Sequence, residues 1–159
     1  MSSGLGALVQ WQFLPFDVLT GAQMYAVMQL RSEVFVVEQN CIFQDMDGKD
    51  AQAMHLLGLQ QINGTEVLVA YARCFDRGVS FVEASIGRVV TSPRARGHGL
   101  GHQLMREAVA ALTRTWGEQP IRIGAQAHLN GFYAQHDFVD MQLPYLEDGI
   151  PHLEMLRTL

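Results

Sequence analysis

Three glycines at alternate positions, Gly97, Gly99 and Gly101, sit in SPRARGHGLGHQLM (92–105), between two arginines and a helix-like apolar pattern. Glycine lets the backbone turn through positive φ and lets main-chain N–H groups approach a ligand with no Cβ in the way. The first turn of a helix offers unpaired N–H groups and about half a positive charge. With Arg94, Arg96, His98 and His102 nearby, these are the parts of a cradle for a phosphate or pyrophosphate. No Gly-Lys-Ser/Thr follows, so the stretch is not a P-loop, and Gly-x-Gly-x-Gly departs from the dinucleotide fingerprint. A glycine-rich turn without a ligand is the plainer reading of the same residues.

Other side chains carry weaker signals. His98 and His102 have the i, i+4 spacing of a zinc pair, but no glutamate follows His98 and the glycines interrupt the helix. Asp45, Asp47 and Gly48 resemble part of a calcium loop whose later glutamate is missing. No metal is expected. Arg31 falls on an apolar helical stripe. It either snorkels at the stripe's edge or points inward to a carboxylate, since an unpaired buried charge is costly. Cys41 and Cys74 lie far apart and outside any CxxC spacing, which reads as two free thiols in a reducing compartment.

The elements that must position these groups follow from periodicity. LVQWQFLPF (8–16) reads as a strand. Thr20 and Gln23 form a capping box, and Met24, Val27, Met28, Val34 and Phe35 then recur at helical spacing. HLLGLQ (55–60) and EVLVAYARCF (66–75) flank INGT, a hairpin signal, because Asn and Gly both tolerate positive φ. A strand is expected over 83–92. The helix after the glycines buries Leu100, Leu104, Ala108, Leu112 and Trp116 on one face. A strand at 121–126 and a short helix at 128–136 follow, and two strands close the chain around Glu147-Asp148-Gly149. The order is that of one mixed α/β domain over 1–159.

Composition bounds the rest. The chain has 159 residues, 48% of them apolar, enough for a core. A net charge of −5 argues against general nucleic-acid binding. No apolar run reaches the roughly 18 residues of a membrane span. The first basic residue is Arg31, so the basic start of a secretory signal is missing and a cytoplasmic setting is expected.

VVTSPRARGHGLGHQLM resembles the central motif of the GNAT N-acetyltransferases: Arg or Gln, two residues, Gly, one residue, Gly or Ala. Arg96, Gly99 and Gly101 fit it, as do Arg94, Gly97 and Gly99. The first register is preferred because Leu100 and Leu104 then start the helix. LRSEVFVVEQNC, DMDGKD, VAYAR, IGRVV, GAQAHLNGFY and EDGIPH extend the resemblance, over 30–152, to the ElaA-like branch of that family. The resemblance implies a three-layer GNAT-like α/β fold, with a twisted mixed β-sheet, helices on both faces and a splayed central notch. It also implies acetyl-CoA as cosubstrate. The strand residues Val89, Val90 and Thr91 would hold the pantetheine arm and acetyl group. Arg96, Gly97, His98, Gly99, Leu100, Gly101 and His102 would hold the pyrophosphate. Gln126 stands where the family usually has asparagine.

The chemistry that follows is acetyl transfer to a primary amine, direct and in a ternary complex, with a small molecule favoured as acceptor. A protein N-terminus or lysine, and a non-catalytic CoA-binding module, are the alternatives. By resemblance Tyr133 is the general acid for the departing thiolate. A backbone N–H on Val89–Thr91 is the oxyanion donor. The base is open, because the family's strand glutamate would fall near Ile121. Glu38, His55, Glu83 and Glu147 are the candidates. Glu38, Asp45, Asp47 and Asp50 form an acidic cluster suited to steering a cationic amine. Arg31, Arg88, Glu147 and His152 are candidate acceptor contacts. The expected partners are acetyl-CoA and an amine, with no nucleic acid and no membrane. Room is left for a homodimer.

Overall fold

The computed structural model describes residues 8–159. Strand β1 (Gln10–Pro15) leads into helix α1 (Gly21–Arg31), started by the expected capping box: Gln23 N–H donates to Thr20 Oγ1 at 3.1 Å and Thr20 N–H to Gln23 Oε1 at 2.9 Å. The helix does not continue regularly to Phe35. It widens into a π-helical stretch over Ser32–Glu38, with Gln39 N–H donating to Val34 O and Cys41 N–H to Val36 O. Two local causes are visible. Val34, Val36 and Val37 crowd an α-turn with branched Cβ atoms. The Ser32 hydroxyl also donates back to Gln29 O at 3.1 Å, a bond that bends helices.

Strands β2 (Met54–Ile62) and β3 (Thr65–Phe75) form the hairpin expected from INGT, with φ of +52° at Asn63 and +78° at Gly64. Strand β4 (Ser85–Thr91) completes an antiparallel sheet in the order β1-β2-β3-β4. Helix α2 spans Leu100–Trp116, as its apolar spacing requires. Strand β5 (Ile121–Gln126), helix α3 (Asn130–Ala134) and strands β6 (Val139–Glu147) and β7 (Ile150–Arg157) follow. The second sheet is antiparallel, in the order β5-β7-β6.

Helices cover both faces. Leu104, Met105, Ala108 and Leu112 of α2 are fully buried in one core with Ile86, Ile121, Ile123 and Met155. Each such large side chain contributes on the order of 1.5–3 kcal/mol by burial. On the other face, Val27, Leu30 and Val34 pack against Leu57, Leu59, Tyr71 and Val90. The first sheet is thus held between two apolar layers.

The two sheets meet at one place. Ala84 bridges Ile121 in parallel, and Arg122 N–H donates to Ala84 O at 2.9 Å. Beyond that point β4 and β5 share no ladder. The cause lies in β4. Tyr71 pairs with Val90 and Arg73 with Gly87, so Ala72 opposes both Arg88 and Val89. This is a β-bulge, and Arg88 sits in it at φ +49°. A bulge bends its strand and increases the local twist. It carries β4 away from β5 and opens a notch between the sheets.

Candidate active site

The notch is a cleft of about 410 Å³. One wall is β4 from Ile86 to Thr91, and the other is β5 at Ile123, Gly124 and Gln126. Among the described residues no strand pairs with the cleft side of β4 past Ala84, and apart from Thr91 O, which accepts from Arg96 at 3.2 Å, its edge main-chain groups are left for a ligand. On the opposite wall a Cβ at Gly124 would meet the Tyr145 hydroxyl, so that side chain would have to shift.

The glycine turn lies at the end of β4. Gly97 has φ +98° and Gly99, the residue that caps α2, has φ +72°, both in the region that disfavours a side chain. A Cβ at either would meet nothing within 4 Å, so the turn faces open space. Gly99 makes no side-chain cap, leaving the first N–H groups of α2 without that partner. The geometry is that of an anion cradle.

Tyr133 projects from α3 into the cleft and is 7% exposed. Its ring packs edge-on against Phe132 and Phe138. Its hydroxyl makes no hydrogen bond among the described residues, and burial pushes its pKa up to about 12. The group is a donor that stays protonated at neutral pH and lines the cleft.

The family model of the acetyltransferase (GNAT) domain matches residues 23–159. The chain belongs to the GNAT acetyltransferase family. It is 42% identical to the ElaA protein of Escherichia coli over 154 residues, 96% of this chain and 98% of that protein. The crystal structure of Escherichia coli ElaA superposes with a TM-score of 0.84 over 94% of this chain and 99% of the other. An acyl-CoA N-acyltransferase from Pseudomonas aeruginosa, 43% identical, superposes with a TM-score of 0.86 over 94% of this chain and 99% of its own.

The structure brings together many of the residues singled out by sequence. Glu38, Arg88, Val89, Val90, Thr91, Arg96, Gln126, Tyr133, Glu147 and His152 all line the cleft. Leu100 is buried in the core, a Cβ at Gly101 would touch the Phe132 ring, and His98 lies exposed in the turn. Gln126 donates to Gln39 Oε1 at 3.2 Å, across the cleft. Arg96 is not a free cation: its two terminal nitrogens hold both Glu38 oxygens at 2.8 and 2.7 Å. That pair keeps the Glu38 carboxyl below the usual carboxylate range, so it is a weak base. His102 turns from the cradle to His136, with their ring nitrogens 2.9 Å apart. No cluster of metal ligands occurs among the described residues.

Three candidates lie elsewhere. Arg31 is 0% exposed and takes the inward option: Nε donates to Asp45 at 2.8 Å and a terminal nitrogen to Asp50 at 2.7 Å. It does not touch the cleft and is not an acceptor contact. His55 is buried outside the cleft, bonded to the Tyr71 hydroxyl at 2.6 Å and to Asp50 O at 2.9 Å. Burial lowers its pKa and both its nitrogens are engaged, so it is structural. Glu83 is held by Arg122 at 3.0 and 3.1 Å, where the two sheets join, and is not in the cleft.

The acidic cluster also takes a different role. Asp45, Asp47 and Asp50 are matched by Arg31, Arg73 and Arg88. Arg73 holds Asp47 at 2.8 Å and Asp50 at 3.1 Å, and Arg88 holds Asp45 at 2.8 Å. The aspartates are paired with arginines, and they anchor the 41–50 segment to β3 and to the bulge of β4. Arg73 does not stand out in the sequence, because it lies inside the continuous strand pattern of EVLVAYARCF. Its alternation with Tyr71 on one strand face was the available signal.

Proposed function

We propose that this acyl-CoA-dependent transferase moves an acetyl group from acetyl-CoA directly to a primary amine, and that the acceptor is a small molecule. One arrangement carries the reading: the unpartnered edge of β4 and the unbonded Tyr133 hydroxyl line one cleft, and the positive-φ turn at the start of α2 directly follows Arg96 on its rim. The amides of the turn bind the pyrophosphate. The edge of β4 takes the pantetheine arm in the manner of an added strand. A β4 N–H donates to the carbonyl oxygen as charge builds on it. Tyr133 gives its proton to the sulfur as the C–S bond breaks.

Two contacts narrow the acceptor side and favour a small molecule over a protein chain. Gln126 reaches Gln39, and Cys41 Sγ donates to Asp148 O at 3.5 Å. The Tyr133 hydroxyl lines the cleft without a protein partner, which favours a catalyst over a mere CoA-binding module, since a proton donor is left free for a ligand. The free thiols of Cys41 and Cys74 support a reducing, cytoplasmic setting.

The test has two parts. Calorimetry measures acetyl-CoA binding, and CoA release is followed with a panel of alkylamines, arylalkylamines, amino acids and short peptides. Turnover confined to small amines is the expected outcome. Turnover confined to peptides would overturn the small-molecule reading. Binding without turnover on any amine would overturn the catalytic one.

A further inference from the structure

The carboxylates do not supply a convincing base for this reaction, but the last hairpin does. We infer that His152 is the general base that takes the proton from the acceptor ammonium, and that Glu147 is the positioning residue that receives the resulting imidazolium. This rests on the amine-transfer reading above and names a residue that the reading leaves open.

The turn between β6 and β7 sets the pair. Asp148 and Gly149 have φ of +50° and +78°, a two-residue hairpin turn. It puts Glu147 opposite Ile150, and His152 opposite both Tyr145 and Gln126 in the neighbouring strands. His152 is 7% exposed and lines the cleft. Its ring is fixed from two sides. It stacks on Tyr145 at 5.4 Å with 30° between planes, and Nδ1 lies 2.8 Å from Ile150 O.

That second contact decides the tautomer. A carbonyl oxygen only accepts, so Nδ1 must carry the hydrogen. In the neutral ring Nε2 then holds the lone pair. Nε2 lies 3.6 Å from the Glu147 carboxylate, too far for a hydrogen bond but close enough for an ion pair once Nε2 gains a proton. The arrangement is a base, held in one tautomer, with an anion waiting for its conjugate acid.

The other titratable groups that share the cleft are less suited. Glu38 is held by Arg96. Arg88 is paired with Asp45 and Asp47. Tyr133 stays protonated at neutral pH. Cys41 Sγ donates to Asp148 O, and Asp148 is an exposed turn residue at positive φ. His128 is exposed, with no hydrogen bond that fixes its ring. Tyr145, pushed up to about 12 mainly by burial, serves as the stacking face.

The protons balance. The acceptor R–NH3+ gives one to Nε2, directly or through one water, and the neutral nitrogen attacks the thioester carbonyl. The C–N bond forms and the C–S bond breaks. The sulfur takes a proton from Tyr133, and the second proton lost by the attacking nitrogen replaces it. His152 returns its own proton to solvent. The products are the acetamide, CoA thiol and one proton.

An alkylamine with a pKa of about 10.4 is neutral in only about one molecule in a thousand at pH 7.4. The need for a base therefore falls with pH and with the basicity of the amine. His152→Gln is expected to lower kcat/KM about 10²-fold at pH 7 on an alkylamine. The loss should shrink to severalfold at pH 10, and also on an arylamine that is already neutral, with acetyl-CoA affinity unchanged. A structural histidine would give the same loss at both pH values and on both amines, and that result would overturn the proposal. Nitrogen-15 NMR of the histidine rings in the unaltered protein supplies a readout free of turnover. At pH 8, hydrogen on Nδ1 of His152 is expected, and hydrogen on Nε2 would overturn the proposal whatever the acceptor. Loss of acetyl-CoA binding by the unaltered protein is a different failure, since it strikes the transferase reading itself.

Discussion

Removing Asp45 should do more damage than any single surface change, because this one carboxylate holds two arginines. Its oxygens take Arg31 Nε and Arg88 Nε, each at 2.8 Å. Three arginines face three aspartates in this network, so the cluster is neutral. Asp45→Ala leaves it with an excess positive charge beside Arg31, which has no solvent exposure. Stripping one partner from a buried pair costs about 3–5 kcal/mol. Asp50 still holds Arg31 at 2.7 Å and Arg88 reaches solvent, so the lower half of that range is expected. At about 2–4 °C per kcal/mol for a chain of this size, Tm should fall by about 6–16 °C. The comparison is a double variant, Arg31→Met with Asp45→Leu, which removes one charge of each sign. It should recover most of the loss, since an apolar pair of similar volume often replaces a buried ion pair at little cost. Thermal unfolding followed by circular dichroism at low and high salt measures both. The difference should persist in high salt, because buried charges are poorly screened. A Tm within about 2 °C of the unaltered protein for Asp45→Ala, or a double variant no better than the single one, would refute the account.

Three shorter expectations follow from the same geometry. Gly99→Glu places a side chain at φ +72° and an anion in the cradle, so calorimetry should find no acetyl-CoA binding in a protein that remains folded; unchanged affinity would sink the cradle. Tyr133→Phe keeps the packed ring and removes the proton, so kcat should drop about 10²-fold while acetyl-CoA affinity stays within about threefold; near-normal turnover would make Tyr133 a packing residue. Asp47 and Asp50 are held below the usual carboxylate range, Asp47 chiefly by its hydrogen bond to Arg73 and Asp50 by Arg31 and Arg73 against its own burial. Their folded pKa values lie below the unfolded value near 3.9, so the stability they supply is complete above about pH 5 and is lost as pH falls below about 4. Denaturant midpoints measured from pH 7 to pH 3 should fall mainly below pH 5, and a midpoint flat across that range would contradict the pairing.

Much of the fold could be read locally. The capping box at Thr20, the Asn63-Gly64 turn, α2 over Leu100–Trp116 and β5 over Ile121–Gln126 each depend on neighbours within a few residues, and each stands as the sequence implied. The π-helical stretch did not announce itself. Its apolar residues keep nearly helical spacing, and only the bonds five residues back distinguish it. The site divides in the same way. Glycine has one dominant physical meaning at a strand-to-helix turn, so Gly97 and Gly99 were legible. Aspartate, arginine and histidine have several, and their roles depended on partners far along the chain.

The sequence by itself therefore determined the order of elements, the glycine turn that begins α2 and the placement of Tyr133 on the helix after β5. These follow from backbone sterics and apolar periodicity, which act over short spans. Only the tertiary structure decided which charges are free. Arg31 meets Asp45 across 14 residues, Arg88 meets Asp45 across 43, and Arg96 meets Glu38 across 58. A charge that finds a partner in the core becomes a brace, and one that finds none in a cleft remains available for chemistry. That choice depends on distance and burial, which are set when the β4 bulge parts the two sheets and the last hairpin brings His152 to the cleft they leave between them.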